Sequence, residues 1–187
     1  MTLIAASGPA RRYSSLSKVL HWVIGIAVIV TIPVGIWMSN FLPDGPVQEQ
    51  VFSTHKSIGA LLLILMAVRV ATRLFYGAPA PVATLGAVER RGSAAAQYSL
   101  YALLFAAPIL GWLGANAYGE PVSVFGLFSL PTLLGKNQPL SDQIFTWHLV
   151  VGLVIAAVAS LHISGALYHY FVKRDGVMQR MLPADDA

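Results

Sequence analysis

The chain has 187 residues, of which 56% are hydrophobic and 11% charged, and its mean hydropathy is +0.67. Those values define an integral membrane protein, read as one transmembrane domain over 1–187 with no length left for a separate soluble domain. The formal charge of +4 comes from basic residues that flank apolar runs, which excludes a nucleic-acid surface, and the absence of cysteine excludes disulfides, thiolate zinc, iron–sulfur clusters and covalently attached c-type haem.

Arg11, Arg12 and Lys18 precede a first uncharged run over about 19–42, which contains Pro33. The turn formers Pro43, Asp44, Gly45 and Pro46 open a short connection over 43–54. A second span over about 55–76 carries Arg69 and Arg73 in its last two turns, where long side chains can snorkel to the headgroups. A connection over 77–92 leads to a third span over about 93–119, in which Pro108 predicts a bend as Pro33 does in the first. The loop over 119–142 is unusually apolar, with Val122, Val124, Phe125, Leu127, Phe128 and Leu130, and is expected to lie as an interfacial lid over the bundle. The fourth span, about 143–172, is long enough to tilt or project into water. Each run reaches the roughly 20 residues that cross about 30 Å of hydrocarbon. The first is too long for a signal-peptide core and no small-residue cleavage site follows it.

This predicts an all-α, integral membrane four-helix bundle. Ten basic residues, ending with Lys173, Arg174 and Arg180, fall on the side of the termini, against Lys56 and Lys136 opposite, so both termini are expected in the cytoplasm.

His148 and His162 are 14 positions apart on the last span, which on an α-helix is a rise of about 21 Å with both side chains on one face. In an alternating bundle His21 lies at the depth of His162 and His55 at that of His148. Two stacked pairs of neutral imidazoles are the axial ligand sets of two b-type haems. Four residues beyond each of these histidines stand Gly25, Gly59, Gly152 and Ala166, small residues that let a flat macrocycle approach the backbone. His169 has Lys173 at that place and is set apart from the ligands. Simple interhelical hydrogen bonding is the bland alternative for one histidine, but four at matched depths point to function. Zinc lacks the ligand count of a closed centre here, and no uncharged run holds the Asp or Glu of a transport path.

Leu20-His21-Trp22, His55-Lys56-Ser57-Ile58-Gly59, Arg69, Arg73, Trp147-His148, Leu161-His162 and the tail His169-Tyr170-Phe171 with Lys173 and Met178-Gln179-Arg180-Met181 together resemble the bacterial cytochrome b561 family over nearly the whole chain. The resemblance implies four helices, two b haems held by these four histidines, and membrane electron transfer involving quinone, with superoxide as outer-face donor in one branch. Pro121-Val122-Ser123-Val124-Phe125-Gly126 is more similar to a sister branch.

The reading that follows is a di-haem quinone oxidoreductase relaying single electrons across the membrane, with membrane lipid and quinone as its immediate partners. The alternative is a haem-bearing membrane anchor subunit that relays electrons between quinone and a partner dehydrogenase or other periplasmic electron-transfer protein. Quinone chemistry moves protons as well as electrons, and His169, about 10 Å beyond His162, is the candidate proton donor and acceptor, against the plainer role of a solvated interfacial histidine. Trp22 and Tyr170 either flank a quinone ring or belong to the aromatic belt. Lys56 either draws an anion such as superoxide to the outer haem or pairs with a haem propionate; Arg69 and Arg73 serve propionates or phospholipids, or only topology.

Overall fold

In a computed structural model that describes residues 12–182, four long helices run Ser15–Asn40 (α1), Pro46–Tyr76 (α2), Ala87–Tyr118 (α3) and Gln138–Tyr168 (α4). Each is long and apolar enough to cross a membrane, the last with its continuation to Lys173. Arg11 lies outside the described residues.

Local signals explain the helix ends, which reach further than the apolar runs. Ser14 accepts from the Ser17 amide at 3.2 Å and so caps α1. Pro46 occupies the first turn of α2, where its missing N–H costs nothing, so this helix starts well before His55 and the connection narrows to 41–45. The Glu89 carboxylate accepts from the Gly86 amide at 2.9 Å at the start of α3, shortening the next connection to 77–86. Gly119, at φ 102°, ends α3 in the left-handed conformation that a side chain would disfavour. The Asn137 side chain accepts from the Leu140 amide at 3.2 Å and starts α4. Both α1 and α3 continue through Pro33 and Pro108.

The apolar outer loop folds more definitely than an interfacial lid requires. Ser123–Val124 pairs antiparallel with Phe128–Ser129, forming the short strands β1 and β2. Phe125 at φ 52° and Gly126 at φ 73° make the mirror-image turn that suits a tight hairpin. Val122 and Val124 are buried while Leu127 and Phe128 are exposed. Ser57 anchors this hairpin to α2: its hydroxyl accepts from the Phe125 amide at 2.9 Å and reaches the Ser123 carbonyl at 3.0 Å.

Packing is uneven around the bundle, and that positions the site. The α3–α4 and α1–α2 contacts are extensive and α2 also packs on α3, whereas α1 touches α4 at few places and α2 scarcely meets α4. A seam therefore runs along the inward face of α4. Its middle is filled by Leu20, Ile24 and Val28 of α1, Leu62 and Met66 of α2 and Ile155 of α4. Ile155 stands seven residues from both His148 and His162, so this apolar plug separates the two depths.

The close α3–α4 contact rests on Gly114, whose carbonyl accepts from the buried Ser141 hydroxyl at 3.1 Å. A Cβ there would stand 2.9 Å from the Phe145 ring and 3.2 Å from Ile144. Gly114→Ala should destabilise the bundle by about 1–3 kcal/mol, the range of an overpacked interface. Thermal unfolding in detergent followed by circular dichroism measures it, and an unchanged midpoint would show that Phe145 turns aside freely.

Candidate functional site

Helix direction brings the four expected histidines together two by two. The rings of His21 and His162 have centroids 6.2 Å apart at 80°, and those of His55 and His148 are also 6.2 Å apart at 80°. A metal–imidazole bond is about 2 Å, and a five-membered ring with bonds near 1.35 Å has a radius of roughly 1.1 Å. Two bonds and two radii thus span about 6.2 Å, the reach of two imidazoles on one metal ion. Bare edge-to-face rings also occur at such distances. Both pairs share one separation and one angle, and the hydrogen bond of His148 leads away from its partner.

That bond runs from His148 Nδ1 to the Ala107 carbonyl at 2.8 Å. A carbonyl only accepts, so Nδ1 carries the proton and Nε2 keeps its lone pair, the arrangement of a metal-ligating histidine. His55 Nδ1 is buried with no hydrogen-bond partner among the described residues. At the other depth, Arg69 Nη2 stands 3.5 Å from His21 Nδ1 while Nη1 donates to the Ser17 carbonyl at 3.1 Å. Arg69 also lies over the Tyr101 ring, 5.7 Å from its centroid. It therefore turns into the bundle, correcting the expectation that it snorkels outward. Arg73 is half-buried in the same corner, beside Tyr13 and Ser17.

Glycine shapes the space around the rings in two ways. Gly25, Gly59 and Gly152 have nothing within 4 Å of where a Cβ would stand, and Ala166 is half-buried one turn past His162. Gly59 and Gly152 line a cavity of about 1040 Å³ together with His55 and His148, at the upper end for sites of small molecules and cofactors. Gly35 and Gly111 instead back the rings: a Cβ on Gly35 would stand 3.0 Å from His55 Cε1, and one on Gly111 3.2 Å from His148 Cε1. Sequence reasoning missed this second couple. Both stand on helices that carry no ligand at that depth, so no spacing within one helix marks them.

At the mouth of the cavity Lys56 is paired with a carboxylate. Its Nζ donates to Glu120 Oε2 at 2.7 Å, and Asp44, Glu49 and Asp142 stand on the same lining. At the end of the bundle that bears the termini, the Trp22 indole donates to the Met181 carbonyl at 2.9 Å, and its ring lies against His21 at 5.4 Å. Tyr170 lies edge-on to Phe171 at 4.9 Å. His169 is not a solvated side chain: only 13% of it is exposed, and its Nδ1 is 2.7 Å from Asp175 Oδ2.

Four apolar helices that hold two imidazole pairs along an inner seam define the architectural class of the helix-bundle membrane cytochromes. The chain belongs to the prokaryotic cytochrome b561 family, whose model matches residues 12–184. It is similar to cytochrome b561 homolog 2 of Escherichia coli (strain K12), with 32% identity over 91% of both chains. It is also similar to the probable superoxide oxidase CybB of Yersinia pestis, at 28% identity over 92% of this chain and 97% of that one. Cytochrome b561 homolog 1 of Escherichia coli (strain K12) matches at 26% identity, with the same coverage of 92% and 97%. The protein is thus a bacterial membrane cytochrome that binds haem b and transfers electrons across the membrane.

Gly59→Leu and Gly152→Leu each fill part of the 1040 Å³ cavity without removing a histidine. Both should lower haem content per chain, and Gly111→Ala should shift the haem absorption bands by displacing the His148 ring. Normal haem content and spectra in all three variants would assign these glycines to helix packing alone.

Proposed function

We propose that the chain carries two b haems, one between His21 and His162 and one between His55 and His148, and relays single electrons between membrane quinone at the end bearing the termini and a donor or acceptor at the opposite end. The equal separation of 6.2 Å in the two imidazole pairs is the observation that supports this most directly. Held between two of these imidazoles, haem b would supply one-electron iron chemistry and relay electrons without binding substrate. Both termini face the cytoplasm on this reading, because the basic residues cluster at their end.

The chain's own residues have separable tasks. Ligation through Nε2 leaves the proton of His21 on Nδ1, where it faces the Arg69 guanidinium. Two donors cannot share that contact, so Arg69, with its other nitrogen on the Ser17 carbonyl, would be available to hold a haem propionate, and Arg73 beside it could do the same. Gly59 and Gly152 let the outer macrocycle lie against the backbone, and Gly25 and Ala166 do so for the inner one. Trp22, whose indole donates to the Met181 carbonyl, and Tyr170 bound the quinone edge, and His169 exchanges a proton with quinone.

A second reading is favoured by the cavity mouth. Asp44, Glu49, Glu120 and Asp142 surround it, and Glu120 neutralises Lys56, so the outer end does not attract a small anion such as superoxide. An anchor subunit that takes electrons from a partner dehydrogenase fits that charge better than an oxidase acting alone. Rapid mixing of the purified, quinone-loaded protein with superoxide separates the two: prompt haem reduction supports the oxidase, and its absence supports the anchor.

A pyridine haemochrome assay should find two haems per chain. His55→Ala and His148→Ala should each lose one and the same haem, and His21→Ala and His162→Ala the other, as told apart by spectrum and midpoint potential. One haem per fully loaded chain, or loss of the same haem from His55→Ala and His162→Ala, would overturn the pairing.

A further inference from the structure

At the end of α4 the chain leaves α-helical geometry and turns back on itself. Residues His169–Lys173 form a π-turn, closed by the Arg174 amide donating to the His169 carbonyl at 2.7 Å. Such a wide turn is uncommon and is found disproportionately at functional sites. Arg174 then adopts φ 53° and Gly176 φ 83°, left-handed conformations that reverse the chain within a few residues. Asp175, between them, is brought directly onto the ring of the residue that began the turn. Its Oδ2 accepts from His169 Nδ1 at 2.7 Å and its Oδ1 from the Val177 amide at 3.3 Å. The pair is enclosed, with 13% of the His169 side chain and 6% of the Asp175 side chain exposed.

The chemistry of the partners sets the tautomer. A carboxylate only accepts, so the proton is on Nδ1 and the lone pair of neutral His169 is on Nε2. The Asp175 carboxyl stays ionised: burial pushes its pKa up, but hydrogen bonds from His169 and the Val177 amide outweigh this and hold it below the ordinary carboxylate value. A fixed anion behind Nδ1 stabilises the imidazolium that forms when Nε2 takes a proton, the logic of an oriented base. The hook carrying Asp175 continues to Met181, whose carbonyl receives the Trp22 indole, and that indole lies against His21. One short segment thus joins the oriented histidine to the neighbourhood of the inner imidazole pair.

We infer that Asp175 is a positioning residue for quinone chemistry, holding His169 with Nε2 presented as the base that receives a quinol proton. The inference rests on the assignment of His169 to quinone made above. In quinol oxidation the quinol loses two electrons and two protons and becomes quinone. The two electrons would be taken singly by the two ferric b haems of the proposed assignment, each becoming ferrous, while the first proton goes to His169 Nε2 and the second to water at the membrane edge. Asp175 keeps its negative charge throughout.

The test uses the full-length, haem-loaded protein in detergent or liposomes, mixed rapidly with a short-chain ubiquinol while haem reduction is followed. Asp175→Asn should keep both haems and their spectra, leave KM for quinol within a few-fold of wild type, and slow haem reduction at saturating quinol about 10²-fold, within the range of a positioned acid or base. Asp175→Glu, which restores a carboxylate, should recover most of the rate. The decisive comparison is with His169→Ala: the double variant should be no slower than His169→Ala alone, because a residue that acts only through His169 has nothing left to orient. Additive slowing in the double variant, a normal rate in Asp175→Asn, or loss of a haem from Asp175→Asn would each make Asp175 a latch for the chain end and overturn the inference. Unchanged quinol kinetics in His169→Ala would instead remove the quinone assignment of His169 itself, whatever Asp175 does.

Discussion

Each imidazole pair bridges helices that otherwise have little hold on one another. His21 of α1 faces His162 of α4, and His55 of α2 faces His148 of α4, across two sparsely packed boundaries of the bundle. In lipid, helices are not driven together by water, so they associate through close packing of small residues and polar contacts. The close packing is concentrated elsewhere, between α3 and α4 at Gly114 and Ser141. Tight packing on the flanks and a gap along the seam are two sides of one arrangement: a flat cofactor needs an interhelical space that stays open, and the flanking contacts keep it from collapsing. The plug of Leu20, Ile24, Val28, Met66 and Ile155 then divides that space by depth.

The glycines show how such a seam is made. Gly59 and Gly152 leave open volume beside their histidines, whereas Gly35 and Gly111 leave none, since the rings of His55 and His148 lie against them. Open glycine leaves room that the proposed cofactor would need, and filled glycine fixes a ring. With the Ala107 carbonyl holding Nδ1, the His148 ring is constrained on one face and at one nitrogen, which is how a ligand keeps its aim without support from its own helix.

Much of this was legible in the sequence because the relevant distances are set by helix geometry. The 14-residue step from His148 to His162, with the alternating direction of four spans, is enough to match His21 and His55 to their partners. The start of α2 was not legible from hydropathy, because residues 47–54 are largely polar and are helical through the start that Pro46 provides. Contacts between distant positions were hidden for a different reason. Lys56 and Glu120 are 64 residues apart, and only the hairpin anchored on Ser57 brings them together. Asp175 was hidden because its approach to His169 depends on a positive φ at Arg174, a conformation that arginine's own preferences argue against.

On the proposed reading the two ends of the bundle would serve different traffic. At the hairpin end a wide cavity opens between acidic side chains, and Lys56 on its lining is already paired. At the other end the chain terminus folds over the helices: Arg180 donates to the Ala80 carbonyl at 2.6 Å, Lys173 pairs with Glu89, and Trp22 holds Met181. A closed end with a buried, oriented histidine suits a reaction in which protons must move with electrons and water must be kept from the reacting oxygen. An open, acidic end suits electron exchange with a larger body that reaches the cavity from outside, where no proton is needed. The asymmetry follows from the single seam, since two sites at different depths of one crevice meet opposite surfaces of the membrane.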